Sequence, residues 1–394
     1  MSISKIAHIT AIDQSLRYLL LNQLLSIQQA GYTVVGISSP GPGVPFIEAT
    51  GIRHIPVPMT RNVTPFQDLL TLWKLYRLIR RERFTIINTH TPKPGLLGQL
   101  AACMAGVPIV VNTLHGFYFR KGMNKKLRSF YVGLEKIAAR CSDIILSQNY
   151  EDIETAIREG VCKAEKIKYL GNGIDVGRFN PANLSLEEIN HKKLEVGLPE
   201  NAKIVGFVGR LVREKGLLEV FNAASIVKKQ IPEVRFLIIG PVDKGKPDAI
   251  TPEMANKFKV ENIFHFLGVR QDMPELYSLM NVFVLPSHRE GFPRAPMEAS
   301  AMKVPCIVTN IRGCREAIEH GRNGLLVPLG DVQTLADAII ELLKDHEKAQ
   351  RMGEEGRRIA LERFDERLVF EKVKSEYSRL LMKKGLPVPK PLAG

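Results

Sequence analysis

The sequence has few cysteines, and none of them forms a Cys-x-x-Cys pair. Its 394 residues contain five cysteines: Cys103, Cys141, Cys162, Cys306 and Cys314. Their scatter argues against a structural zinc site and against a disulfide framework. Few and unpaired cysteines are typical of proteins in a reducing compartment, so we expect a cytoplasmic location.

Long hydrophobic runs are also missing, and no segment approaches the length of a membrane span. The run at residues 3–9 is strand-like and lacks the basic region, apolar stretch and cleavage site of a signal peptide. A Walker loop and a dinucleotide-binding fingerprint are absent as well. The chain contains no Asp-x-Asp pair.

Basic residues outnumber acidic ones, and most of the resulting net charge of +14 lies in the first 180 residues. Such a charge fits a nucleic-acid surface, an anionic membrane surface or a need for solubility. No recognised nucleic-acid motif accompanies it, so we expect no nucleic-acid partner. The segment 120–128, which follows Phe117, Tyr118 and Phe119, is either a headgroup-binding element or a solvated charged loop.

Short apolar runs alternate with longer helical patterns along the chain, which predicts an α/β protein with parallel sheets. A polar segment at 180–199 divides the pattern, so we expect domains at 1–182 and 183–365 and a last helix at 366–384. The predicted strands are 3–9, 33–37, 52–55, 84–88, 109–113, 144–146, 166–170, 204–208, 234–239, 263–267, 282–285, 306–309 and 325–327.

The loop after the strand at 204–208 carries two cations between two glycines. Arg210 and Lys215 lie between Gly209 and Gly216, and a helix is predicted from Leu217. Fixed positive charge beside a helix N-terminus suits a diphosphate group. The alternative is a solvated surface loop.

A second loop contains two glutamates and two prolines. We expect a helix to begin near Pro296 with Ala295 at the cap position, which places Glu298 in the first turn. Since Ala295 has no side-chain oxygen, the first N–H groups stay available to a phosphate. Glu298 is a candidate for binding ribose hydroxyls, and Glu290 is a candidate catalytic or sugar-binding carboxylate. Alternatively, Glu290 pairs with a neighbouring arginine of its loop.

Together these motifs resemble the retaining glycosyltransferases of family 4. The resemblance is carried by Glu290 and Glu298 with seven residues between them, by the Arg210–Lys215 loop, and by the Gly-Asn-Gly-Ile-Asp run at 171–175. It implies the GT-B fold, which has two Rossmann-like domains with parallel sheets facing an interdomain cleft. It also implies that the donor binds the second domain, the acceptor binds the first, and the last helix packs back on the first.

The resemblance assigns roles residue by residue. Glu290 and His115 become the catalytic candidates. The donor-binding candidates are Gly209, Arg210, Lys215, Val269, Gly291, Phe292, Pro293 and Glu298. Acceptor-side candidates are Asp13, Ser15, His90 and Lys93, although Ser15 has the alternative of capping a helix from Leu16. The loop after the first strand lacks the glycines that many family members have there.

The implied function is hexosyl transfer with retention from a nucleotide diphosphate sugar, most often a UDP-sugar. The Phe-Pro-Arg and Thr-Pro-Lys-Pro-Gly segments resemble bacterial surface-polysaccharide enzymes, which implies a glycan or polyprenyl-linked acceptor and a location on the inner membrane face. No cofactor and no metal requirement are expected. The alternatives are a nucleotide-sugar epimerase of the same architecture and a non-enzymatic basic scaffold or nucleic-acid protein.

Overall fold

The computed structural model describes residues 4–60, 64–119, 122–243 and 245–391, which form two compact units. The first unit comprises Met1–Gly171 with Val369–Gly394, and the second comprises Asn172–Leu368. The expected boundary was residue 182. The segment from 172 belongs to the second unit because the Ile174 N–H donates to Phe364, and Ile174 accepts from the Glu366 N–H.

A parallel sheet lies at the centre of each unit. The first contains β1 Lys5–Ile12, β2 Thr33–Ser39, β3 Arg53–Pro56, β4 Ile86–His90, β5 Ile109–Leu114, β6 Ile144–Ser147 and β7 Ile167–Tyr169, in the order β3-β2-β1-β4-β5-β6-β7. The second contains β8 Lys203–Val208, β9 Val234–Ile239, β10 Phe264–Gly268, β11 Val282–Leu285, β12 Cys306–Thr309 and β13 Gly324–Val327, in the order β10-β9-β8-β11-β12-β13. Every predicted strand overlaps one of these, although Ile3 of the first lies outside the described residues.

Helices connect the strands, as expected for parallel sheets. They are α1 Asp13–Ser15, α2 Leu21–Gln29, α3 Val44–Glu48, α4 Pro65–Glu82, α5 Pro92–Met104, α6 Lys125–Cys141, α7 Tyr150–Arg158, α8 Leu186–Glu195, α9 Leu217–Gln230, α10 Met273–Ser278, α11 Arg294–Ala301, α12 Cys314–Ala317, α13 Val332–Lys344, α14 His346–Arg363 and α15 Glu366–Lys383. A π-helical segment, Leu16–Leu20, joins α1 to α2.

The last helix contributes to the core of the first unit. Val373, Tyr377 and Leu381 of α15 are fully buried in a cluster with Ile6 of β1 and Ile86 of β4. Burying side chains of this size stabilises a fold by about 1.5–3 kcal/mol each. The first sheet is therefore covered on one face by residues from the far end of the sequence.

Candidate active site

A partly buried ion pair lies where the loops after β8 and β11 meet. Lys215 Nζ is 2.6 Å from Glu290 Oε1, and Ser287 Oγ donates to the same oxygen at 2.7 Å. The Glu290 side chain is only 8% exposed. Its other oxygen, Oε2, has no hydrogen-bond partner in the part of the chain that the structure describes. The pair therefore combines an ammonium group with a carboxylate that retains one accepting oxygen.

Several contacts fix the two loops against each other. Gly216 has a φ of +79°, and a Cβ atom there would overlap the carbonyl of Pro286. The His288 N–H donates to the Glu214 carbonyl at 2.8 Å, and Arg289 Nε lies 2.7 Å from Glu214 Oε1. Only glycine fits this close approach. The position of the Lys215 loop is thus tied to the loop that carries the glutamate.

The loop after Glu290 is held from two sides. Gly313, with a φ of +81°, approaches the Gly291 carbonyl so closely that a Cβ atom would overlap it. The Phe292 ring is buried and meets the Phe364 ring edge-on at 5.9 Å. The Phe292 carbonyl accepts from Asn172 Nδ2 at 2.8 Å. The Gly-Asn-Gly run of the sequence therefore supports the candidate donor loop.

Helix α11 begins earlier than the sequence indicates. Pro293 is its N-cap, no side chain caps this terminus, and Ala295 lies inside the helix. The prediction of a start near Pro296 was wrong, because Pro296 is the third residue of the helix. A proline is tolerated there, since the N–H groups of the first turn have no acceptor within the helix and the missing N–H costs no hydrogen bond. Consequently Glu298 is the fifth helical residue and lies beyond the first turn.

A buried tyrosine orients Glu298. Tyr277 is fully buried, and its hydroxyl donates to Glu298 Oε2 at 3.0 Å. Burial, and then the charge of Glu298, raise the pKa of Tyr277 well above its usual value. The tyrosine therefore remains a proton donor to this carboxylate. No motif or spacing in the sequence points to Tyr277.

Of the remaining donor-side candidates, Gly209 and Arg210 directly follow β8, and Val269 follows β10. Arg210 Nη1 pairs with Asp243 Oδ2 at 2.8 Å. The Gly209 N–H donates to the Ile239 carbonyl at 2.9 Å, and Val269, after β10, is 62% exposed. In the described residues no hydrogen bond joins these three to the Lys215–Glu290 pair.

Three histidines are hydrogen-bonded in a row in the first unit. His8 Nδ1 lies 2.9 Å from His90 Nε2, and His90 Nδ1 lies 3.1 Å from His115 Nε2. Burial lowers the pKa of His8 to about 3, that of His115 to about 4, and that of His90 well below its usual value. The structure therefore brings His90 and His115 together and adds His8, which sequence reasoning missed.

His115 lines a small pocket that also contains an unexpected carboxyl group. The pocket is lined by Thr91, Pro92, Gly95, Asn112, Thr113, Leu114, His115, Gly116 and Glu135. Burial, and then the charge of Asp152, raise the pKa of Glu135 to about 7. Thr91 adopts a φ of +66°, which is strained for a residue with a Cβ atom.

The other acceptor-side candidates take part in internal contacts. Asp13 is buried and accepts from the Gly43 N–H at 2.5 Å. Ser15 lies at the end of α1 and caps no helix, because the helical backbone already begins after Ile12. Lys93 Nζ lies 2.6 Å from Asp68 Oδ1. The alternative role of Ser15 as a cap was therefore wrong.

The aromatic residues before segment 120–128 do not form a surface patch. Phe117 and Phe119 are buried and stacked with their ring centroids 4.7 Å apart, whereas Tyr118 is 43% exposed. Arg120 and Lys121 lie outside the described residues, and Arg128 pairs with Glu159 at 2.7 Å. The two phenylalanines are core residues, because their rings fill the space beneath α6.

Solved structures show the same fold. The chain superposes on Anabaena HepE, solved in complex with UDP and glucose, with a TM-score of 0.82 and 21% identity, over 95% of this chain and 100% of that one. Residues 188–359 match the family profile described as Glycosyl transferases group 1, and residues 19–178 match Glycosyltransferase Family 4. Two Rossmann-like units with these profiles define a glycosyltransferase of the GT-B fold.

Curated relatives identify the family. The UDP-Gal:α-D-GlcNAc-diphosphoundecaprenol α-1,3-galactosyltransferase of Escherichia coli is 33% identical over 75% of this chain and 76% of that protein. The capsular polysaccharide biosynthesis glycosyltransferase CapM of Staphylococcus aureus is 31% identical over 96% of this chain and 97% of that protein. The chain belongs to glycosyltransferase family 4. It is therefore an enzyme, and this membership argues against the non-enzymatic scaffold alternative.

Proposed function

We propose that this chain transfers a hexose from a UDP-sugar to a polyprenyl-diphosphate-linked sugar during the synthesis of a bacterial surface polysaccharide. The observation that carries the proposal is the Lys215–Glu290 pair, held between the ends of β8 and β11. The acceptor class is supported by the lipid-linked substrate in the name of the E. coli relative and by the capsular role in the name of CapM. The bound UDP of HepE supports the choice of nucleotide.

In the proposed reaction, cations of the second unit stabilise the leaving diphosphate. Lys215 and Arg210 supply the positive charge, and each exchanges part of its present carboxylate contact for phosphate oxygens. Glu298, oriented by Tyr277, accepts from the ribose hydroxyls. Val269 contacts the nucleobase. Because side chains supply this charge, we propose that transfer needs no metal ion, and activity should persist in excess EDTA.

Glu290 is proposed to hold the donor sugar and not to attack it. Oε1 is already engaged by Lys215 and Ser287, which fixes the carboxylate and leaves Oε2 to accept from a sugar hydroxyl. Retention would then follow from same-face attack, with a donor phosphate oxygen taking the acceptor proton. A Glu290→Gln variant should therefore lose activity mainly through weaker sugar binding. A trapped glycosyl-enzyme intermediate would support double displacement instead.

The decisive assay combines a panel of UDP-hexoses with undecaprenyl-diphosphate-linked N-acetylglucosamine. We expect one UDP-hexose to give a disaccharide lipid, with the configuration at the anomeric carbon retained when measured by NMR. Release of a free epimer without an acceptor would favour the epimerase alternative. If no nucleotide sugar bound or reacted, the proposal would be rejected.

A lipid-linked acceptor requires the enzyme to approach a membrane, and helix α4 offers a suitable surface. No helix in the described ranges is long and apolar enough to span a bilayer. Along α4, Phe66, Leu69 and Trp73 are 81%, 65% and 54% exposed. The same helix carries Lys74, Arg77, Arg80 and Arg81. Exposed apolar side chains beside cations are typical of helices that lie in an anionic membrane surface. We therefore propose peripheral binding at the cytoplasmic face through α4.

Flotation with vesicles tests this surface. The protein should float with phosphatidylglycerol vesicles at low salt but not with phosphatidylcholine vesicles. Leu69→Ser should weaken flotation, whereas Leu186→Ser, which changes a leucine 80% exposed in the second unit, should leave it unchanged. Equal effects of the two substitutions would contradict a role for α4.

A further inference from the structure

A hydrogen-bond chain runs from the last helix of the protein to His115. It begins at Tyr377 of α15 and passes through His8 of β1 and His90 of β4. The strands β1, β4 and β5 are neighbours, with His8 paired to Asn88 and His90 paired to Thr113. Since side chains alternate between the faces of a sheet, Asn88 and His90 lie on the same face.

The atoms are close enough for continuous hydrogen bonding. The Tyr377 hydroxyl is 3.3 Å from His8 Nε2, and the next two links measure 2.9 Å and 3.1 Å. Asn88 Nδ2 donates to the same hydroxyl at 2.8 Å. Both His8 and His90 are fully buried, so water does not compete for these groups.

The direction of the chain follows from its first members. The Thr113 hydroxyl donates to Asn88 Oδ1 at 3.0 Å, and Asn88 donates to the Tyr377 oxygen. The single proton of Tyr377 is then directed at His8 Nε2. A neutral imidazole that accepts at Nε2 must carry its proton on Nδ1. By the same reasoning, His8 Nδ1–H donates to His90 Nε2, so His90 also carries its proton on Nδ1. His90 Nδ1–H then donates to His115 Nε2, which leaves the proton of His115 on Nδ1.

At the end of the chain, Nε2 of His115 accepts from His90, and the side chain of Gln148 interacts with the His115 ring. Protonating His90 or His115 would turn two N–H groups towards each other, and protonating His8 would turn an N–H towards the Tyr377 O–H, so burial and geometry both favour neutral rings. The ionisable groups that face the row are Tyr32, whose ring lies 6.3 Å from that of Tyr377, and Glu135 in the pocket.

We infer that Tyr377, His8 and His90 are positioning residues that hold His115 as a neutral Nδ1–H tautomer in a fixed orientation at the wall of the Glu135 pocket. The importance of His115 for sugar transfer rests on the proposed function, but its tautomer does not. His115 then acts as an oriented hydrogen-bonding group in the pocket lining and not as a proton-transfer base. The last helix of the protein thereby helps to define a site on the first sheet.

The tautomers can be read directly by two-bond ¹H–¹⁵N NMR of the full-length, histidine-labelled protein. We expect His8, His90 and His115 to show the Nδ1–H pattern unchanged between about pH 5.5 and 8. An Nε2–H pattern, or titration of any of the three in this range, would overturn the inference. This measurement needs neither substrate nor variant.

The Tyr377→Phe variant tests the origin of the chain. It removes the proton donor to His8, so the tautomer signals of the row should change, and kcat should fall roughly tenfold to a hundredfold with little change in the KM for the donor. Tyr32→Phe is the matched control and should resemble the unchanged protein. Wild-type signals for His115 in the Tyr377→Phe variant would refute the assignment. If the NMR patterns are as expected but the protein transfers no sugar, the proposed function is wrong and the tautomer assignment still stands.

Discussion

Replacing Glu135 by glutamine should stabilise the protein at neutral and alkaline pH and leave its stability unchanged in acid. The carboxyl group lines the His115 pocket on α6, where burial and the nearby charge of Asp152 raise its pKa to about 7 from the ordinary 4.5. Folding therefore opposes its ionisation. Glutamine has nearly the same shape as the neutral acid and never ionises.

The sign and size of the effect follow from this pKa difference. Below about pH 4.5 both folded and unfolded chains are protonated at Glu135, so the group does not affect the free energy of unfolding. Between pH 4.5 and 7 the unfolded chain releases the proton first, and unfolding becomes progressively easier. Above pH 7 the full penalty applies. The difference of about 2.5 pKa units corresponds to at most about 3.4 kcal/mol, and the partial exposure of Glu135 reduces our expectation to about 2 kcal/mol.

Thermal unfolding across a pH series measures this effect. At about pH 8 the Glu135→Gln variant should melt roughly 4–8 °C higher than the unchanged protein, and near pH 4.5 the two should coincide. Glu154→Gln, at an exposed position on α7, is the matched control and should show no pH-dependent gain. A difference in Tm that is the same at every pH, or a loss of stability at pH 8, would refute the reasoning.

Three other substitutions test the second unit. Lys215→Met should lower kcat roughly 10²–10³-fold, because it removes a cation proposed to stabilise the leaving diphosphate; unchanged kinetics would exclude that role. Tyr277→Phe removes a hydrogen bond to charged Glu298 and should weaken UDP binding, measured by calorimetry, by about 1.5–3 kcal/mol; equal affinity would show that this orientation is unimportant. Gly216→Ala should destabilise the protein by more than about 2 kcal/mol in urea unfolding, since it combines a positive φ with steric overlap. Gly197→Ala, which has a similar φ but open space around it, should cost only about 1 kcal/mol, and equal losses would contradict the steric argument.

The sequence predicted the strands well because buried parallel strands are continuous apolar runs. It also placed Lys215 and Glu290 at one end of the same sheet, since both follow apolar strands and the carboxyl ends of parallel strands lie at one edge. Their direct contact depends on β8 and β11 being neighbours, which the alternating pattern does not determine.

The structural features that the sequence did not predict depend on the register of the strands and on contacts between residues far apart in the chain. His8 interrupts an apolar strand and gives no sign of its partner until β1 and β4 are aligned. Tyr377 follows it by 369 positions, and Tyr277 precedes Glu298 by 21. The start of α11 was misplaced because Pro296 is compatible with more than one position in a first turn. The sequence pattern favours the aromatic run at 117–119 over α4 as a membrane-binding surface, and only burial distinguishes the two.

The burial of α15 in the first sheet has a consequence for synthesis. A domain normally folds once its own residues have left the ribosome, and N-terminal domains therefore tend to fold first. Here the core around Ile6 lacks Val373, Tyr377 and Leu381 until α15 has been made, whereas the second unit is complete at Leu368. We therefore expect the second domain to finish folding before the first. One face of the first sheet stays uncovered until α15 packs against it.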